Sequence, residues 1–186
     1  MHIAGYNPLV VTECKNGESY YFEMIQRCWG WASWARAWKQ YKFDIDENYK
    51  EVLRRSKYFS NKLTKLRWED ILEKMQRHEI DTWDYQWAYK ILEMGGFCIN
   101  PCVSLIQNIG MNSGVHYAGV NSFSDGTPAF RMDFPLVHPV RVDFNRTIIR
   151  TLQRMDRIGI KELFFKKIKI VTKKIGIYDS LKKVQS

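Results

Sequence analysis

The rhythm of apolar and polar positions changes several times along the chain. The opening HIAGYN alternates before Gly5, which is the two-residue period of a strand. SYYFEMI (19–25) is rich in β-formers and predicts a second strand. From Trp31 onward Trp34, Ala35, Trp38 and Tyr41 recur at helical spacing, so a helix is expected over 31–41. Residues 47–57 and 62–77 have the same period with one strongly polar side. Next comes IDTWDYQWAYKILEMGG (80–96), a helix over 82–94 that Asp81 can cap and Gly95-Gly96 can stop. FCINPCVSLIQNIG (97–110) reads as a buried strand broken at Pro101, followed by a glycine- and asparagine-rich loop over 108–119. Residues 120–145 hold Pro128, Pro135 and Pro139 and look irregular. From Asn145 the helical period returns. Ile148, Leu152, Met155 and Ile158 form one apolar face, and Leu163, Phe164, Ile168, Val171 and Ile175 form the next. Strands interspersed with helices place the chain in the α/β or α+β class.

Composition narrows the function classes. The 186 residues suit one domain or a large piece of one, and 45% apolar content argues against disorder. The net charge of +9 is unevenly spread: residues 150–186 hold eleven Lys and Arg against Asp156, Glu162 and Asp179. The body is therefore near neutral, which disfavours a nucleic-acid partner, since that needs a basic face on the folded part. The basic tail fits either a solvated segment or an amphipathic helix on an anionic membrane surface through residues 159–186. No 18-residue apolar stretch and no signal-peptide pattern in residues 1–12 stand out, so any membrane contact is expected to be peripheral and the location cytoplasmic. Cys14, Cys28, Cys98 and Cys102 form no CxxC pair and are expected to be reduced thiols.

The chemistry-bearing motifs are few. The chain has no Gly-rich phosphate loop, GxSxG elbow, HExxH or EF-hand loop, and its four histidines are scattered. What remains is the acidic pair Asp81 and Asp84 at the start of a helix, and His116 in a Gly-flanked loop. A first-turn carboxylate is complemented by the helix dipole, and near an acceptor hydroxyl it can serve as a general base. Equally, Asp81 can be a plain cap, Asp84 a plain first-turn acid and His116 a surface histidine; spacing alone leaves both readings open.

Three motifs in order carry a resemblance. CWGWASWARAWKQY (28–41) resembles the GWATWRRAW motif of family-2-like bacterial glycosyltransferases, the nucleotide-diphospho-sugar transferases. DTWDYQWAYKILEMGGF resembles their W-D-Y-Q-W helix, and INPCVSLIQNIGMNSGVHY (99–117) their I-x-P, N-L-V, N-I-G-x, A-T-H run. FPLVHP (134–139) resembles a later motif, so the similarity covers roughly residues 1–145. It implies the α/β class and the C-terminal part of an A-type fold, a partial mixed sheet with flanking helices. Residues 1–145 would be the acceptor-side half and 146–186 a basic helical tail.

The activity implied is transfer of a sugar from a nucleotide-sugar donor to a hydroxyl or lipid-linked acceptor, in surface polysaccharide or lipopolysaccharide synthesis. Asp84 matches the acid of the family's common Glu-Asp pair and would be the catalytic base, with Asp81 the second choice. Trp83 stands where that pair usually has Glu. Trp29, Gly30 and Trp31 match the loop under the donor sugar or acceptor. His116 matches the A-T-H histidine near the diphosphate and a divalent cation, Mn²⁺ or Mg²⁺, although Gly114-Val115 replaces Ala-Thr. The family's Asp-x-Asp metal motif does not precede His2, and Asp44-Ile45-Asp46 reads as a solvated loop. A chain without that nucleotide-binding half is expected to bind donor and cation weakly. The alternative is a non-catalytic carbohydrate-binding or scaffolding remnant.

Overall fold

The computed structural model describes residues 1–107 and 128–156. Among them stand a four-stranded mixed sheet and five α-helices, so the chain is of mixed α/β type. The strands are β1 (His2–Ala4), β2 (Tyr20–Glu23), β3 (Trp31–Ser33) and β4 (Cys98–Pro101), in the order β2-β4-β1-β3. β4 runs parallel to β1 and antiparallel to β2, while β3 closes antiparallel on β1. The registers Tyr21↔Asn100, Glu23↔Cys98 and His2↔Cys98 put these residues on one sheet face, since alternate residues share a face. That face is wholly buried and unusually polar: His2, Glu23 and Asn100 have no exposed surface.

The helices are α1 (Ala35–Trp38), α2 (Tyr49–Arg55), α3 (Lys62–Gln76), α4 (Asp84–Glu93) and α5 (Arg146–Met155). In α3 the side chain of Asn61 accepts from the amides of Leu63 and Thr64, the expected role of an N-cap. Its buried stripe of Thr64, Trp68, Ile71, Leu72 and Met75 keeps the helical period. α4 is enclosed on nearly all sides, with every residue from Gln86 to Leu92 buried. It ends as the Gly-Gly pair predicts. Gly95 takes φ +62°, its amide donates to Leu92 O at 3.2 Å, and Gly96 N donates to Ile91 O at 2.8 Å, a Schellman closure. Ile148, Ile149 and Leu152 of α5 lie in the same core as α2, α3 and α4, so the folded body continues through α5.

Three expectations need correction. The stretch 31–41 is not one helix: Trp31–Ser33 is strand β3 and only Ala35–Trp38 is helical. The free edge of β1 offers a ladder, and tertiary pairing overrides the local helical period. Asp81 does not cap α4. It is exposed, and the N-cap position falls to Trp83, which makes no side-chain capping bond. Finally, the four cysteines are not all thiols, because Cys14 and Cys102 form a disulfide, with Cys28 and Cys98 free. An isolated bridge pairs Val11 with Val103 and Thr12 N donates to Cys102 O at 2.7 Å, drawing the two segments together. A pairing across 88 residues has no local spacing by which to recognise it. The loop 108–119, His116 within it, and the tail beyond Asp156 lie outside the described residues. No described helix is long and apolar enough to cross a membrane.

Candidate functional site

A cleft of about 200 Å³ opens beside the polar sheet face. The segment leaving β2 supplies Arg27, Cys28 and Trp29; α3 supplies Arg67; the first turn of α4 supplies Asp84 and Tyr85; Tyr6 and Asp156 complete the wall. The structure thus brings together two of the residues singled out by motif, Trp29 and Asp84. The Asp84 carboxylate accepts a short hydrogen bond from the Thr82 hydroxyl through Oδ1. The Asp84 backbone carbonyl accepts from Gln26 Nε2 at 3.1 Å, tying the start of α4 to the segment after β2. Burial and then the Asp84 charge push the Cys28 thiol up, and the same two causes push up the Tyr41 hydroxyl. Asp84 therefore acts electrostatically on the cleft and on the aromatic surface that holds Tyr41.

That aromatic surface joins β3, α1 and the entry to α4. Trp31 lies 4.9 Å from Trp83 and 5.4 Å from Trp38, and Trp38 stacks on Tyr41 at 4.8 Å, centroid to centroid. Trp38 and Trp83 keep 38% and 37% of their surface exposed, enough to present a ring face to a ligand. Beneath them Trp31 stacks on His2, and Trp87 supports Trp38 from the core at 5.1 Å. His2 is fixed in one tautomer. Its Nδ1 accepts from Trp87 Nε1 at 3.2 Å, so Nε2 carries the proton donated to Arg27 O at 3.0 Å. Burial lowers its pKa to about 4, making it a structural, neutral imidazole.

Under the cleft lies a charged network that motif reading did not single out. Glu23 accepts from Arg27 Nη2 at 2.8 Å, from the Tyr58 hydroxyl at 2.8 Å and from Asn100 Nδ2 at 2.6 Å. Arg27 also reaches Asp156 at 3.5 Å. Burial pushes the Glu23 carboxyl up, while Arg27 and the Tyr58 hydroxyl pull it back. The sequence signal was Glu23 itself, an acid inside the apolar run SYYFEMI. Its partners come from distant positions and could not be read with it.

The other singled-out residues have different fates. Gly30 takes φ +57°, its carbonyl accepts from Gly5 N at 2.7 Å, and a Cβ there would meet Ile106 Cγ2 at 2.8 Å. Backbone conformation and close packing thus account for glycine at this position. Asp81 is exposed and does not line the cleft. Asp46 pairs with Lys42 at 3.7 Å, and Gln76 binds the carbonyls of Ile45 and Asp46, as suits a surface loop. In the FPLVHP motif, Val137 exchanges hydrogen bonds with Ser19, and His138 Nδ1 lies 3.0 Å from the Tyr20 hydroxyl. No group of three His, Cys, Asp or Glu side chains is arranged to hold a metal among the described residues. Among the described residues, Asp84 and Asp156 are the only carboxylates that line the cleft, and Asp156 is engaged with Arg27, so these residues do not fit a divalent-cation site. Compared with models of protein families, with curated proteins and with solved structures, the chain matches none.

Proposed function

We propose that the chain forms the acceptor side of a glycosyltransferase that moves a sugar from a nucleotide-sugar donor to a hydroxyl acceptor. One observation carries this reading: Asp84 stands on the cleft wall with Trp29, adjoining the surface of Trp31, Trp38, Trp83 and Tyr41. Indole faces suit the C–H faces of sugar rings, and a carboxylate beside them is placed to act on a sugar hydroxyl. Asp84 Oδ1 is oriented by Thr82, and Oδ2 has no hydrogen-bond partner among the described residues. In the proposed step the acceptor oxygen bonds to the anomeric carbon and the bond from that carbon to the diphosphate oxygen breaks. The acceptor proton passes to Asp84, and the nucleoside diphosphate leaves. The basic tail would hold such an enzyme at an anionic membrane surface bearing a lipid-linked acceptor.

A second reading rests on the aromatic surface alone, which can bind carbohydrate without catalysis. The two readings separate at Asp84. Oligosaccharide binding is followed by tryptophan fluorescence, and transfer by release of nucleoside diphosphate from a preparation that turns over. Asp84→Asn should leave binding within a few-fold and lower transfer about 10²–10⁴-fold. Asp81→Asn, exposed and off the cleft, serves as the control and should change neither. Transfer that survives in Asp84→Asn removes the catalytic role, and saccharides that leave the fluorescence unchanged remove both readings.

A cytoplasmic site of action is part of the proposal and is linked to the state of Cys14 and Cys102. Disulfides persist chiefly in oxidising compartments, so this bond bears against that location.

A further inference from the structure

A second pocket, of about 430 Å³, lies on the molecule between the start of α3 and the exposed side of α5, and Ser60, Asn61, Lys62, Arg150, Gln153 and Arg154 line it. Three of the six are cations and none is an acid. Among the described residues, no carboxylate lies within ion-pair distance of Lys62, Arg150 or Arg154. Arg150 and Arg154 are four apart on one helix, where like charges repel each other. Lys62 occupies the first turn of α3, where the helix dipole favours an anion, and that turn contains no acid. All three features have the same sign, and no acid compensates them among the described residues.

The pocket is also held in shape. Gln153 is fully buried, and its Oε1 accepts from Ser60 N at 3.1 Å, Ser60 Oγ at 3.0 Å and Asn61 N at 3.1 Å. Its Nε2 donates to Tyr58 O, and its backbone carbonyl accepts from Thr64 Oγ1 at 2.6 Å. This amide locks α5 against the entry of α3 and fixes the backbone positions from which the two arginines and Lys62 extend. A rigid floor under three cations that no described acid neutralises is an arrangement by which proteins bind phosphate, with Arg forks giving geometry and Lys giving charge.

We infer that this pocket binds a phosphate group through Lys62, Arg150 and Arg154. Two sources of that group fit the chemistry, the headgroup of an anionic phospholipid and a soluble phosphate or diphosphate. The sequence that follows α5 holds Arg157 and eight lysines against Asp156, Glu162 and Asp179, which would favour a surface of anionic headgroups.

The test uses the full chain. Inorganic phosphate and pyrophosphate are titrated while the backbone amide resonances of Ser60, Asn61 and Lys62 are followed by NMR. Co-sedimentation is measured with phosphatidylcholine vesicles, with and without phosphatidic acid. Arg150→Gln/Arg154→Gln is compared with Lys15→Gln/Lys39→Gln, which removes the same charge from exposed positions elsewhere and leaves the tail intact. Saturable shifts at 60–62 are expected in the parent and the control and should vanish in the arginine variant. If the headgroup is the source, affinity for phosphatidic-acid vesicles falls about fivefold per charge, roughly thirtyfold for both, relative to the control. Shifts lost without any such fall in vesicle binding assign the pocket to soluble phosphate. Shifts that do not saturate, or that persist in the arginine variant, overturn the inference.

Discussion

Replacing Arg27 by Met tests whether the network under the cleft carries charge. The Arg27 side chain is 14% exposed and the Glu23 side chain is 0% exposed, so the substitution strands a carboxylate that water cannot reach. Removing one partner of a buried pair costs about 3–5 kcal/mol. Glu23 would keep its bonds from Tyr58 and Asn100, and the contact to half-exposed Asp156 is worth little, so the lower end, about 3 kcal/mol, applies. In a protein of this size that is roughly 6–12 °C in Tm. The pH dependence is the more specific signature. Arg27 restrains the upward push of burial on Glu23, so its loss raises that carboxyl further above the usual carboxylate range. A carboxyl raised in the folded state stabilises the fold when protonated, and that stability is lost as pH rises through its folded value. The deficit of Arg27→Met should therefore be largest near pH 8 and shrink towards about pH 5, by at most about 1.4 kcal/mol per pH unit. Urea denaturation of parent and variant across that range measures it, and adding Glu23→Gln should flatten the dependence. A deficit that stays constant with pH would mean that Arg27 acts through packing and that the carboxylate is not the stranded group.

Three further outcomes follow from the geometry. His2, lowered to about 4 by burial, should stay neutral in an NMR titration down to that pH. The stability it contributes above its ordinary value of 6.5 should fade by roughly 3 kcal/mol as pH falls towards 4; a midpoint at 6 or above contradicts the locked tautomer. Gly30→Ala should cost more than Gly95→Ala. Both positions have positive φ, worth about 1–2 kcal/mol, but only Gly30 would add a clash with Ile106, and equal losses in urea midpoints would refute this. Under denaturing, non-reducing conditions a thiol reagent should count two thiols, and four after reduction. Cys14→Ser should cost about 2–4 kcal/mol, and a count of four before reduction would remove the disulfide.

Periodicity made α3 and α4 legible because each has a buried stripe and a chemical stop signal. Asn61 and the Gly95-Gly96 pair act where such residues should. The tryptophan-rich stretch misled for a physical reason. Trp31 and Trp38 do meet in space, as helical spacing suggests, but a strand, a turn and one helical turn bring them together. The free edge of β1 could not be seen from residues 31–41 alone. Similarly, Asp84 and Trp29 could be picked out because each lies in a compact motif. The assembly of Glu23 with Arg27, Tyr58 and Asn100 joins residues separated by up to 77 positions, and no local pattern announces it. Asp81 has the right residue type for a cap, yet the chain turns into α4 two residues later than capping requires.

The Cys14–Cys102 bond encloses residues 15–101 in one covalent ring, and with them three of the four described strands, four of the five described helices and most of the cleft. Among the described elements, strand β1 lies before that ring and α5 after it. A protease that cuts once inside the ring therefore cannot release a fragment. The nicked protein would keep its full mass on a non-reducing gel and part into two pieces only when the bond is reduced. The ring also turns peptide-bond scission on the cleft side into a change of connectivity without a change of composition, so the two cut ends stay tethered where they can re-form the same packed core.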